Sequence, residues 1–181
     1  MRMPGLRVPL VLAALLLLPR LAAAQDDGPE QVAQRYFATM RAGDWRANAA
    51  LMHPQALESF KAGFVRLAAP SEAAGALEAV FGVRNVAELQ AVPAAELYER
   101  FMRKSVSESS GMQELFDTAE FQVVGHVAEG EETAHVVYRL RAVTEGMEVT
   151  RLAVITLRRH QGAWKVVLTG EVAGFPSVIA G

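Results

Sequence analysis

The chain contains no cysteine among its 181 residues. This absence excludes a thiol nucleophile, a cysteine zinc site, a redox-active thiol and any disulfide bond. It also excludes a lipid anchor of the bacterial lipoprotein type, because that anchor is attached to a cysteine at the cleavage site. The fold must therefore be stabilised by its hydrophobic core, without covalent cross-links.

Long apolar runs are scarce, and the clearest one covers residues 8–18 near the N-terminus. Arg2 and Arg7 precede this run, and Ala22 and Ala24 after it form an A-x-A pattern. These features predict a secretory signal peptide over residues 1–24, cleaved after Ala24. The run is shorter than the roughly 20 residues that span a bilayer. We expect a periplasmic or secreted protein with no membrane insertion after removal of the signal, and a single domain over residues 25–181.

Positive charge is also in short supply. The chain has 18 Lys and Arg residues against 20 Asp and Glu residues. Removing Arg2, Arg7 and Arg20 with the signal peptide leaves 15 basic and 20 acidic residues, a net charge of −5. Because phosphate backbones are bound by clustered Lys and Arg, this balance argues against nucleic acid as a partner.

Helix start and stop signals divide the first half of the chain. Pro29 suits a first helical turn, Gly43 stops that helix, Asp44 caps a second helix and Pro54 begins a third. The sequence "SESSG" is interpreted as a turn, and "MQELFD" as a last short helix. Further helix starts are predicted near Ser71, Asn85 and Pro93.

From Glu120 onward the apolar period changes to two residues. Four predicted strands, "EFQVVGHVAEG", "TAHVVYRLRAVT", "VTRLAVITLRRH" and "WKVVLTGEVAGF", are joined by glycine-containing turns, which is typical of an antiparallel sheet. In the second strand one face should pack on the helices and the other should meet water or a partner. The first set is Ala134, Val136, Tyr138, Leu140 and Ala142, and the second is His135, Val137, Arg139 and Arg141. The fold class predicted is α+β, with N-terminal helices packed on an antiparallel sheet of about four strands.

The order of these signals resembles the nuclear transport factor 2-like (NTF2-like) superfamily, which includes the SnoaL-like proteins. The matching pieces are the helix end "YFATMRAGDWRANAALMHPQAL" and the closing "RRHQGAWKVV", within a region of about residues 29–175. The resemblance implies a cone in which a curved sheet wraps around the helices and leaves a cavity at the open end. It implies a single NTF2-like domain over residues 25–181.

An interior of this kind would be lined by aromatic and methionine side chains. The ligand-binding candidates are Tyr36, Met40, His53, Phe60, Phe64, Tyr98 and Tyr138. For Tyr36 and Tyr138 a core position and a catalytic one are both open, and His53 is either a helix boundary before Pro54 or a pocket base. Asp117 and Glu120 are the carboxylates nearest the expected cavity mouth. We therefore assign no catalytic residue.

Metal and cofactor sites are not predicted. His126 and His135 fall on adjacent strands and would form a metal or basic site if they lay opposite each other. Arg139 and Arg141 follow on the face of His135 and disfavour a cation, and a metal site needs about three protein ligands. The sequence has no glycine-rich phosphate loop and no G-x-S-x-G motif.

These observations favour an exported, non-catalytic module that binds a small apolar ligand or forms a homodimer through its sheet. The alternative is a SnoaL-like lyase or isomerase that uses a pocket histidine or carboxylate. A purely structural accessory domain is the third hypothesis. The first two differ in geometry, because an enzyme requires several polar side chains to converge on one water-accessible point.

Overall fold

A computed structural model describes residues 27–68, 74–144 and 146–167 of the chain. Within these ranges the helices precede the strands in sequence. The helices are α1 (Pro29–Arg41), α2 (Trp45–Leu51), α3 (Pro54–Leu67), α4 (Ala74–Phe81), α5 (Val86–Ala91), α6 (Ala94–Glu108) and α7 (Ser110–Thr118). The strands are β1 (Glu120–Glu129), β2 (Thr133–Thr144), β3 (Met147–His160) and β4 (Ala163–Val167).

The strands form an antiparallel sheet in the order β1-β2-β3-β4. A bulge between Val123 and Gly125 shifts the register of β1 against β2. At the other edge, Met52 adds a parallel bridge to Val166 of β4. The predicted α+β class, with helices packed on a four-stranded antiparallel sheet, is confirmed.

The helix boundaries follow the predicted signals. Gly43 adopts a positive φ of 64°, a conformation that costs glycine little. The Asp44 side chain accepts a hydrogen bond of 3.0 Å from the Ala47 N–H and so caps α2. The imidazole of His53 accepts a hydrogen bond of 3.1 Å from the Gln55 N–H and caps α3. Asp44 and His53 therefore act locally by satisfying an amide at a helix start, and Gly43 acts through its backbone conformation at a helix end.

The junction before the sheet differs from the prediction. The segment "SESSG" is not a turn, because α6 continues to Glu108 and α7 begins at Ser110. Ser109 alone breaks the helix, and its hydroxyl accepts a hydrogen bond of 3.2 Å from the Met112 N–H. The polar composition of this segment indicated a longer turn, but a single serine in the N-cap position of α7 is enough to separate the two helices.

Several expectations fall outside the described residues. These are the signal peptide over residues 1–24, the helix start at Ser71 and the part of the fourth strand beyond Val167. Across the helices that are described, none is long and apolar enough to cross a membrane.

The core lies between the helices and one face of the sheet. Alternate residues of β2 and β3 are buried there, among them Val136, Ile155 and Leu157. The helices α1, α2, α3 and α7 pack against the sheet, and α6 packs on α2 and α3 behind them. The buried residues of these helices include Phe37, Trp45, Phe60 and Phe101. We call the packed side of the sheet its inner face, and the opposite side the outer face.

Candidate functional site

A buried hydrogen-bond network joins three helices inside the core. Asn48 of α2 is fully buried, and its Nδ2 donates to the Tyr36 carbonyl at 3.0 Å and to the Thr39 hydroxyl at 2.9 Å. The Tyr98 hydroxyl of α6 donates to Asn48 Oδ1 at 2.8 Å. Tyr36 and Tyr98 also share a side-chain hydrogen bond. Every polar atom of the Asn48 side chain is thus satisfied, as buried amides require.

The electrostatics of this network argue against proton transfer. Burial raises the pKa of Tyr36 to about 12, partly offset by its hydrogen bond to Tyr98. Burial also raises the pKa of Tyr98 well above its usual value, and the nearby Tyr36 adds to the effect. Both phenols therefore stay protonated near neutral pH, and the Tyr98 hydroxyl donates its hydrogen bond to Asn48.

The other predicted pocket residues belong mostly to two aromatic clusters. Phe60 and Phe64 lie 4.9 Å apart between ring centroids, and Phe60 also contacts Tyr98 at 5.5 Å. On the sheet side, Tyr138 packs against Phe37 with centroids 4.6 Å apart. Met40 is partly buried against the same core. These side chains pack against one another, and whether any of them contacts a ligand stays a prediction.

His53 lies apart from these clusters, at the hinge between α2 and α3. Its backbone N–H donates to the Val166 carbonyl at 2.7 Å, and its ring packs edge-on against His160 with centroids 5.2 Å apart. Burial, followed by the proximity of His160 and Arg158, lowers the pKa of His53 below its usual 6.5. A neutral ring is needed for the cap, because Nδ1 accepts the Gln55 N–H.

The two sheet histidines do not lie opposite each other. His126 pairs in register with Val136, while His135 pairs with Val127. The β1 bulge produces this offset, so the two rings fall on opposite faces. His126 contacts Glu30 of α1 at 2.8 Å, and on the outer face His135 contacts Glu129 at 2.9 Å. The two histidines therefore do not form a joint metal or basic site. No group of three metal-ligating side chains occurs in the described ranges.

The candidate polar side chains do not form one constellation. Tyr36 and Tyr98 are internal, His53 is a helix cap, and Asp117 and Glu120 are exposed. Each therefore has an internal partner, a local structural role or a solvent-facing position. Among the described residues this arrangement does not resemble an acid–base site.

The outer face carries an apolar patch that the sequence reasoning did not name. Four aliphatic side chains are largely exposed: Val124 (58%), Val127 (64%), Leu152 (63%) and Val154 (48%). Val137 lies between them, because it pairs with Gly125 on one side and Val154 on the other. We call these five residues the outer patch. The sequence signal for the outer patch is the continuous apolar run over residues 152–155, because such a run places apolar side chains on both faces of β3.

An open groove lies at the β4 edge of the sheet, around the link between α2 and α3 that holds His53, which we call the α2–α3 hinge. It has a volume of about 580 Å³ and is bounded by the start of α6 and the β3–β4 turn. A neighbouring depression of about 460 Å³ shares Ala49, Pro93 and Ala95 with it and also includes Arg46. The groove is thus built from helix ends and does not penetrate the aromatic clusters.

Comparisons with known proteins leave the family unassigned. No family model matches the chain, and no curated protein matches it either. Among solved structures, the chain is similar to the solution structure of a SEC-C motif containing protein from Rhodopseudomonas palustris. The identity is 14%, the match covers 77% of this chain and 75% of that chain, and the TM-score is 0.46. At that level the likeness carries no statement about function.

These findings overturn the NTF2-like assignment. The structural neighbour is described as a SEC-C motif containing protein, and no NTF2-like model matches the chain. The physical reason lies in the residues that carried the resemblance. Gly43, Asp44 and His53 end or cap helices, and Tyr36 and Phe37 fill the core. Unrelated α+β domains with the same helix breaks share such features, so the features indicate the class and not the family.

Proposed function

We propose that the protein is a non-catalytic interaction module that forms a homodimer through the outer face of its sheet. The observation that carries this proposal is the outer patch, whose exposed aliphatic side chains lie on neighbouring strands. Contiguous exposed apolar surface of this kind is typical of protein interaction sites. Burying it against a second sheet would remove apolar area from water at about 25 cal/mol per Å².

The charges around the patch favour a second copy as the partner. Glu129, Thr133 and Arg158 are aligned across β1, β2 and β3 on the outer face. The acidic end of this row lies on β1 and the basic end on β3. A two-fold axis parallel to the strands would place β1 of one copy over the β3–β4 side of the other. Glu129 would then approach Arg158 of the second copy, so the face is complementary to itself.

The organisation of the core supports a non-catalytic role. Two of the three tyrosines open to a lyase or isomerase, Tyr36 and Tyr98, are buried, protonated and part of the Asn48 network. The third, Tyr138, packs against Phe37. The aromatic side chains expected to line a ligand cavity contact one another. The outer face is therefore a better-supported binding surface than the interior.

Sedimentation velocity over a range of concentrations tests the association. We expect a dimer for the unmodified protein and a monomer for Leu152→Lys, because the new charge in the patch lies beside Arg139 and cannot be desolvated there without a partner. Met147→Lys is the matched control, since Met147 is 61% exposed on the same strand but on the opposite face. A monomer at all concentrations, or a dimer unaffected by Leu152→Lys, would refute the proposal.

Charge reversal tests the orientation of the two copies. Glu129→Arg and Arg158→Glu should each weaken the dimer, because each places like charges together across the interface. The double variant should restore association, since the cross-subunit pairs are re-formed with opposite polarity. Glu131→Arg in the adjacent turn serves as the control. If Leu152→Lys weakens the dimer and the charge reversals do not, the outer patch is the interface but the proposed orientation of the two copies is refuted.

Export is proposed on the signal pattern alone. Expressed in a bacterium, the full chain should accumulate in the periplasm or the medium, with an intact mass that begins at Gln25. Retention of the first 24 residues in the soluble fraction would contradict this part of the proposal.

A further inference from the structure

The groove at the α2–α3 hinge has the dimensions of a small-molecule site. Its volume of about 580 Å³ falls within the range of about 300–1,000 Å³ that ligand pockets occupy. It lies beside β4 and the start of α6, and none of its lining residues belongs to the outer patch. Lys165 in its lining pairs in register with Arg158 of the outer-face row, so the groove adjoins the edge of the proposed dimer interface.

The lining of the groove is mostly apolar. Ala49, Met52, Leu57 and Ala94 contribute buried side chains, and Pro54 and Pro93 add apolar walls. Two of these residues are alanines, which leave room beside larger neighbours. An alkyl chain fits such a lining, because the walls offer few hydrogen-bond partners along its length.

A cation is held at the sheet side of the groove. Lys165 of β4 is half-buried, and its Nζ donates to the Ala50 carbonyl at 2.7 Å. It makes no ion pair with any residue in the described part of the chain. The ring of His160 lines the same groove, and Glu58 is an exposed carboxylate within it. An ammonium group has three donors, so Lys165 keeps hydrogen-bonding capacity for an anion.

We propose that this groove binds a monocarboxylate with a medium-length alkyl chain. The carboxylate pairs with Lys165, and the chain lies along Met52 and Leu57 towards Pro93. A hydrogen bond between an ammonium and a carboxylate is charge-assisted and is stronger than one between neutral groups. The apolar walls remove the alkyl chain from solvent. The Lys165 ammonium and the apolar walls favour this chemical class, whereas the exposed Glu58 carboxylate in the lining disfavours an anion bound beside it.

Binding of decanoate to the purified protein tests this proposal. In a titration followed by amide chemical shifts, we expect changes at Ala50, Met52 and Lys165. Lys165→Met should weaken binding about ten-fold, because a charge-assisted hydrogen bond is lost, while Lys165→Arg should retain most of the affinity. Lys61→Met is the matched control, since Lys61 also donates to two carbonyls, of Gln90 and Val92, and lies outside the groove lining.

Other probes separate the two parts of the recognition. Decanol should bind more weakly than decanoate, since it lacks the charge, and butyrate more weakly because it has less apolar surface. Thermal melts of the Lys165 and Lys61 variants identify any loss of binding that is due to unfolding. The proposal is overturned if decanoate leaves these amides unshifted, if Lys165→Met binds as tightly as the unmodified protein, or if decanol matches decanoate.

Discussion

At the scale of single residues, Asn48 is the polar group on which the packing of the helices depends. It is fully buried in α2, yet its bonds reach Tyr36 and Thr39 of α1 and Tyr98 of α6. A buried amide of this kind contributes modestly to stability when satisfied and is costly when a partner is removed. Asn48 contributes mainly to the specificity of the packing, because its hydrogen bonds require one arrangement of the three helices.

Tyr98→Phe tests this dependence. The substitution preserves the ring and leaves Asn48 Oδ1 without its donor, so we expect a loss of about 1–3 kcal/mol in the free energy of unfolding. Chemical denaturation measures the change. The double variant with Asn48→Leu should lose less than the sum of the two single changes, by about 0.5 kcal/mol or more. Additive losses would mean that the two side chains do not act as a unit.

At the scale of helices and strands, residues that stop or cap a helix predicted the helix ends better than stretches of polar composition did. Gly43, Asp44 and Pro54 marked helix ends because each acts through its own backbone or the next turn. The break at Ser109 was predicted as a longer turn, because serine and glycine have low helix propensity. Both residues are nevertheless tolerated in a helix that is stabilised by packing. The relation of His126 to His135 depended on a bulge, which changes the register by one residue and leaves no clear mark in the sequence.

The capping of α2 by Asp44 can be measured directly. Asp44→Ala removes the acceptor of the Ala47 N–H and should lower the free energy of unfolding by about 1 kcal/mol. Asp44→Asn keeps a side-chain oxygen at the same position and should cost much less. Equal losses from the two variants would show that charge, and not the hydrogen bond, accounts for the effect.

The α2–α3 hinge should respond to acid through His53. The pKa of this group is lower in the folded chain than its usual 6.5, so the unfolded chain binds the proton more readily between those two values. Its contribution to stability is therefore fully present above about pH 6.5 and is lost as the pH falls towards the folded pKa. The physical causes are burial and the neighbouring His160 and Arg158, together with the neutral Nδ1 that caps α3.

Stability measured between pH 7.5 and pH 5 checks this expectation. His53→Ser keeps a cap acceptor without a titrating group, so the fall in stability over this range should be smaller than in the unmodified protein. His160→Gln should raise the pKa of His53 by removing a neighbouring charge, and a histidine NMR titration would detect the change. An unchanged His53 pKa in that variant would contradict the assigned coupling.

At the scale of the whole molecule, the candidate site shows what sequence patterns leave open. Residues such as Phe60 and Tyr138 were expected inside the fold, and they are buried or partly buried there. The sequence does not distinguish a core position from a cavity wall, because both need apolar side chains. The outer patch was missed for a related reason. Leu152 and Val154 become an exposed pair only when the register is known and no described helix covers that face.

If the outer patch joins two copies, stability must depend on protein concentration. The folded dimer is then favoured by mass action, by about 1.4 kcal/mol per mole of dimer for each tenfold rise in concentration. The melting temperature of the unmodified protein should therefore rise with concentration, whereas that of Leu152→Lys should stay constant. Met147→Lys should behave like the unmodified protein, because its side chain lies on the other face. Calorimetry at several concentrations measures these differences, and a constant melting temperature for all three proteins would mean that folding is independent of association.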